Sequence, residues 1–191
     1  HAEEPAWILL LQTPPPHQPE AQKSIALLGA IPEALPTTLQ KLDAPYRRWL
    51  PDEFTAASLH DKAPAVLVFA PELHAANHAT PSAAIATAVL NLGELLRICR
   101  EHSQALRVDL ILPGALQSRG QATDVIAAAL AAFVRTLANE WPSLRLRILD
   151  GLPDTPQAAE ALAHEILDAD NESEIFLDAD GNPLRVELYE V

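Results

Sequence analysis

Three short apolar runs, Ala65-Val66-Leu67-Val68-Phe69, Leu106 to Leu112 and Leu144 to Ile148, are separated by segments whose apolar residues recur every three to four positions. This succession constrains the fold most. A short, nearly continuous apolar run suits a strand in a buried sheet, and the longer periodic segments suit helices with one apolar face. The first long helix is expected to begin at Thr80-Pro81, with Thr80 as N-cap and Pro81 at the first helical position. Ile85, Val89, Leu92, Leu96 and Cys99 form its stripe. A second helix, from about Ala122 to Glu140, carries Ile126, Leu130, Phe133, Leu137 and Trp141 on one face. A third, Thr155 to Leu167, leads to two last strands, Glu174 to Leu177 and Leu184 to Tyr189, joined by the turn signal Asp180-Gly181-Asn182. Strands alternating with helices predict βαβ units, hence an α/β fold with a mainly parallel sheet and helices on both faces.

The first half is less regular. Trp7 to Leu11 reads as a buried parallel strand stopped by Thr13-Pro14-Pro15-Pro16, and Ser24 to Ala30 as a weaker strand. A short helical stretch follows, broken by Pro32 and Pro36; Tyr46 to Leu50 is a further strand, and Pro51-Asp52-Glu53 reads as a helix start. Within the later strands Arg107 and Asp109 oppose Leu106, Val108 and Leu110, while Arg145 and Arg147 share a face expected to be solvated. The length of 191 residues predicts one domain over residues 1–191. The chain opens on His1 and contains no methionine, which reads as a segment of a longer polypeptide; residues 1–5 are therefore left out of the fold.

Composition removes several classes of function. A net charge of -13 repels a phosphate backbone and an anionic membrane surface, so neither nucleic acid nor membrane is an expected partner. No unbroken apolar run approaches the roughly 20 residues that cross a bilayer, and no charged segment marks Trp7 to Leu11 as a signal peptide. A lone cysteine, Cys99, forms no internal disulfide and suits a reducing, cytoplasmic compartment.

Motifs for chemistry fail one after another. A dinucleotide-binding turn needs glycines for the tight turn, for close approach to pyrophosphate and for helix packing. The turn after Leu11 instead reads Gln12-Thr13-Pro14-Pro15-Pro16-His17, and proline lacks the amide that would hold phosphate. His74 and His78 would share a helix face, but Ala75 stands where a metalloprotease glutamate would, and no third ligand is near. The acids Asp168, Asp170, Glu172, Glu174, Asp178 and Asp180 do not fit an EF-hand, because Ser173 and Ala179 occupy the glycine and glutamate positions. They read as a solvated turn and hairpin. Ser103 and Ser118 lack a nucleophile-elbow context, and Cys99 lies on an apolar helix stripe as a small buried hydrophobe. Trp141-Pro142 reads as a helix stop with a packing residue. No catalytic, cofactor-binding or metal-binding residue is therefore assigned.

From Ala83 to Val191 the chain resembles the N-terminal structural subdomain of ketoreductases in modular polyketide synthases and related fatty-acid synthases. The carrying residues are the helix with Ala86, Val89, Leu92, Leu95 and Leu96, the strand Val108-Asp109-Leu110-Ile111-Leu112, and the block from Ala131 to Asp150. That block ends a helix in Glu140-Trp141-Pro142 and a strand in Leu149-Asp150; the pair Glu174 to Leu177 and Leu184 to Val186 completes the pattern. The first 80 residues fit only loosely. The resemblance implies a truncated Rossmann-like fold that packs on a catalytic half, where NADPH, Ser, Tyr and Lys or Asn reduce a β-keto thioester on an acyl carrier protein. Laid on the same order of elements, Gly120 to Asp124 falls where such a reductase presents its tyrosine. Here the position holds Asp124, with Ala128 four residues on, and an aspartate is no phenolic proton donor. Tyr46 and Tyr189 lie in other elements.

The expectation is a non-catalytic subdomain that binds no cofactor itself, with NADPH in the partner half and neighbouring synthase domains as further partners. The apolar stripes of the two long helices would supply part of that interface. An independent interaction or dimerisation module, and a degenerate enzyme with an unfamiliar site, remain the alternatives.

Overall fold

The computed structural model describes residues 7–12, 24–62, 64–73, 80–102, 106–115, 124–151, 155–168, 172–178 and 181–190. They form eight strands and five helices in the order β1(Trp7–Gln12), β2(Ile25–Gly29), α1(Ala34–Lys41), β3(Tyr46–Trp49), α2(Ala56–Lys62), β4(Val66–Ala70), α3(Pro81–His102), β5(Arg107–Ile111), α4(Val125–Glu140), β6(Arg145–Asp150), α5(Pro156–Leu167), β7(Glu174–Leu177) and β8(Pro183–Glu190). The strands make one sheet, ordered β1-β8-β7-β6-β5-β4-β2-β3. From β3 to β7 every neighbouring pair is parallel. β8 then turns back against β7, and β1 pairs antiparallel with β8.

Alternation within each strand divides the core in two. Ile25, Leu27, Val66, Val68, Ile111 and Leu149 face α1 and α5. Ala26, Leu28, Leu67, Val108, Leu110 and Ile148 face α2, α3 and α4. With helices on both faces, a doubly wound α/β fold is the result. The chain runs from β2 to β3 on one side, then crosses back to place β4 on the other side of β2. That reversal puts the topological switch point between β2 and β4, the place where such sheets open a crevice at their carboxyl ends.

Helices α3 and α5 begin, and α4 ends, where the sequence predicts, while α4 is described from Val125 with Asp124 as its N-cap. Thr80 Oγ1 accepts from the Ala83 amide at 3.2 Å, and Thr155 Oγ1 from that of Ala158 at 3.1 Å. Trp141 closes α4 as its C-cap, its amide donating to Leu137 O at 2.7 Å. Arg100 lies 4.8 Å over the Trp141 ring, so the tryptophan packs under a cation.

Four readings of the first half and of the strands are corrected. Trp7 to Gln12 is an antiparallel strand at the end of the sheet, because an apolar run records a demand for burial but not the direction of its neighbour. Pro36 does not break α1; it sits in the first turn, where the missing amide has no intrahelical partner to lose. Pro51-Asp52-Glu53 is a turn closed by the Glu53 amide on Leu50 O, at 3.0 Å, and helix α2 begins only after Thr55. There Thr55 Oγ1 accepts from the Ser58 amide while Ser58 Oγ accepts from that of Thr55, at 3.2 and 2.9 Å. The fourth correction is Arg147, which is 3% exposed, whereas Arg145 lies at the surface. Helix α5 covers that face at Arg147, so there the polar side of the alternation has nowhere solvated to point.

Candidate functional site

The crevice at the switch point is built first by Gly29, the last residue of β2. Its φ is +87°, and a Cβ there would lie 2.2 Å from Ala70 O. Only glycine allows this approach. The next amide, of Ala30, donates to the same Ala70 carbonyl at 2.7 Å, and the Ile31 amide turns back onto Gly29 O at 2.9 Å. Pro32 has no amide, and Leu35 donates to Pro32 O at 3.1 Å. The helix that follows is entered through Glu33, an acid whose carboxylate pairs with Arg48 at 3.1 Å. A pyrophosphate at this point needs free amides at the turn and no competing negative charge at the helix N-terminus. These residues do not fit one. The turn that bears on nucleotide binding is thus the one after β2, not the one after Leu11, and residues 13–20 lie outside the described residues.

Along the carboxyl ends of β5 and β6 a second tie replaces a site. Asp150 ends β6, 1% exposed, and its carboxylate accepts from the Gly114 amide at 2.6 Å. Gly114 O in turn accepts from the Asp124 amide at 3.0 Å. The Asp124 side chain caps α4, taking the Ile126 and Ala127 amides at 2.9 and 2.8 Å. A carboxylate at a helix N-terminus offsets the macrodipole, which gives Asp124 a structural task.

On the open side, toward α3, the crevice is a cavity of about 440 Å³. Leu28, Phe54, Phe69 and Leu95 make its apolar floor and walls, and Thr87, Asn91 and Glu72 stand on its exposed rim.

At the opposite, amino end of the strands lies a cluster that periodicity did not reveal. Arg107 and Asp109 of β5 and Arg147 of β6 all point toward α5, each 3% exposed or less. Arg107 donates to Asp109 Oδ2 at 2.9 Å and also to the carbonyls of Ile166 and Asp168. Arg147 donates to Glu165 O at 2.9 Å, to its carboxylate at 3.3 Å and to Glu172 O at 3.0 Å. Two guanidinium groups thereby close the last turn of α5, where carbonyls lack intrahelical donors and the dipole is negative. Burial pushes the Asp109 carboxyl up, against the opposing pull of Arg147 and Arg107. The sequence signal was available: two arginines and an aspartate inside otherwise apolar strands.

The other sequence candidates are placed as follows. Cys99 is fully buried under α3, and burial pushes its thiol up to about 12, which makes it a poor nucleophile. Among the acids, Glu174 pairs with Arg135 at 2.5 Å and Asp168 ends α5. Asp178 accepts from the backbone and side-chain amides of Asn182 at 2.8 and 3.0 Å, fixing the final hairpin around Gly181, φ +82°. Asp170, Asp180, His74, His78, Ser103 and Ser118 lie outside the described residues. Tyr46 and Tyr189 fall in edge strand β3 and in β8, away from the crevice.

Fold and crevice together define a doubly wound α/β domain of Rossmann-like type. Solved structures with this fold include ketoreductase domains. The first ketoreductase of the tylosin polyketide synthase aligns over 97% of this chain and 41% of its own, at 18% identity and a TM-score of 0.64. The ketoreductase from the first module of phoslactomycin biosynthesis in Streptomyces sp. HK803 aligns over 98% and 37%, at 19% and 0.63. An alcohol dehydrogenase from the archaeon Thermococcus sibiricus, complexed with 5-hydroxy-NADP, aligns over 83% of this chain and 97% of its own, at 13% and 0.55. The chain thus spans under half the length of those ketoreductase structures, and the likeness extends to its first 80 residues. No family model matches the sequence, and no curated protein matches it.

Proposed function

We propose that this chain is the non-catalytic structural half of a β-ketoacyl reductase in a polyketide or fatty-acid multienzyme, folded as one subdomain over residues 1–191. It packs on a catalytic half that binds NADPH and carries the reductive chemistry, in a cytoplasmic assembly with neighbouring synthase domains. The observation that carries this reading is the pairing of near-complete alignment along this chain with 37% to 41% coverage of the ketoreductases. The turn at Gly29, whose amides are bound to the protein itself, and the cap formed by Asp124 support it.

The interface is assigned to the outward side of α3 and α4. Their apolar stripes are already committed inward, with Leu92, Leu96, Cys99, Ile126, Leu130 and Leu137 all buried in the chain's own core. What is left for a partner is a second apolar side. An 18-residue stretch within Pro81–Glu101 has a mean hydropathy of 1.4 yet only 28% of it is buried, and Leu90 and Val125 are 72% and 63% exposed. Its buried residues pack on the sheet, so this helix belongs to the domain and its remaining apolar surface calls for a protein neighbour.

NADPH titration followed by fluorescence tests the division of labour. The isolated chain gives no saturable signal, and the same chain continued into the segment encoded after Val191 does. Micromolar binding by the isolated chain overturns the reading. The exposed side of α3 also favours a second reading, a homodimer through the same surface; light scattering separates the two, since the structural half alone is monomeric.

A further inference from the structure

The crevice at the switch point is closed on one side and open on the other. Toward α1, the Gly29 and Ala30 backbone is bonded to the end of β4 and Glu33 stands at the helix entrance. Toward α3, the cavity of about 440 Å³ remains, large enough for a small molecule and lined chiefly by apolar side chains. Its polar groups are few and placed at the rim. The Glu94 carboxylate is held by Arg97 through contacts of 2.9 and 2.7 Å, a cation it shares with Glu101. Glu72, exposed at the mouth, has no ion-pair partner among the described residues. Thr87 and Asn91 present a hydroxyl and an amide one helical turn apart. Among the described residues the mouth is therefore net negative above an apolar floor, which discriminates against anions and favours a ligand with the opposite sign at one end.

We propose that this cavity binds a small amphiphilic cation, its apolar body between Phe54, Phe69 and Leu95 and its ammonium or amidinium head at Glu72. The cavity is formed by this chain alone, and its rim residues Thr87, Asn91 and Glu94 share the exposed side of α3 with Leu90, so it is tested on the chain without a partner. Since Glu72 is exposed, its contribution to selectivity is modest, about fivefold in Kd.

The test uses n-octylammonium and n-octanoate, equal in chain length and opposite in charge, titrated below their micellar range into the ¹⁵N-labelled 191-residue chain. Octylammonium should bind saturably and shift the amides of Gly29, Phe69, Ala70 and Asn91, with octanoate about fivefold weaker. Glu72→Gln, a surface change that leaves the fold intact, should bring the two ions within about twofold of one another. The absence of saturable binding, shifts centred away from the crevice, or octanoate binding as tightly as octylammonium would each overturn the proposal.

Discussion

Asp109 and Arg147 stand opposite one another in register across β5 and β6, with Arg147 Nη1 3.7 Å from Asp109 Oδ2 and neither side chain more than 3% exposed. Arg107 approaches the same oxygen from two residues away on the same strand. Two cations thus share the Asp109 carboxylate, Arg147 also pairing with Glu165 at 3.3 Å, and their remaining donors close α5. Removing that carboxylate leaves buried positive charge uncompensated, which typically costs ~3–5 kcal/mol. Asp109→Asn should lower the unfolding free energy by an amount in that range, read as a lower urea midpoint at an unchanged m-value. Arg107→Met should cost a similar amount for another reason, the loss of donors to the Ile166 and Asp168 carbonyls. Hydrogen exchange should then quicken in the last turn of α5 in Arg107→Met, beyond what global destabilisation explains.

Gly29 is the position least able to accept a side chain. A Cβ would meet Ala70 O at 2.2 Å, and φ of +87° disfavours any L-residue. Gly29→Ala should destabilise by more than ~2 kcal/mol, read as a fall in Tm.

For Asp124, the capping role predicts a graded response. Asp124→Ala, which removes the acceptor for two amides, should cost ~1 kcal/mol in chemical denaturation. Asp124→Ser should restore most of it. Equal losses for both would show that the cap is not what the side chain contributes.

Cys99 supplies a pH dependence. Its thiol titrates near about 12 in the folded chain against 9.0 ordinarily, so the unfolded chain loses its proton first. The stabilisation is complete below pH 9 and is lost as pH rises toward 12, by at most ~1.4 kcal/mol per unit. Under reducing conditions the native chain should lose stability between pH 8.5 and 10.5 more steeply than Cys99→Ala. A thiol reagent at pH 8 should react only as fast as the chain opens.

Much of the second half was legible because its signals are local. Thr80, Thr155 and the stripe from Leu92 to Cys99 state where helices start and which side they bury, and the structure agrees. The carboxyl ends were not legible. Nothing in the Trp7 to Leu11 run says that β8 is its partner, so the glycine test fell on the turn after β1 while the switch point lies after β2. The buried arginines were missed for a related reason. Alternation separates Arg107 and Arg147 from their apolar neighbours, but only the packing of α5 makes their side an interior. The cavity beside α3 leaves no trace in periodicity, since Leu28, Phe54, Phe69 and Leu95 come from four separate elements or connections.

The bond from Ala30 to Ala70 has a consequence for anyone wishing to redesign this frame. It is made by main chain on both sides, and only four residues separate Gly29 from the first residue of α1. Exchanging side chains leaves that bond in place, so a phosphate cradle cannot be recovered by substitution at these positions. Insertion is the route: a longer connection would have to lift the backbone away from β4 before its amides could turn outward.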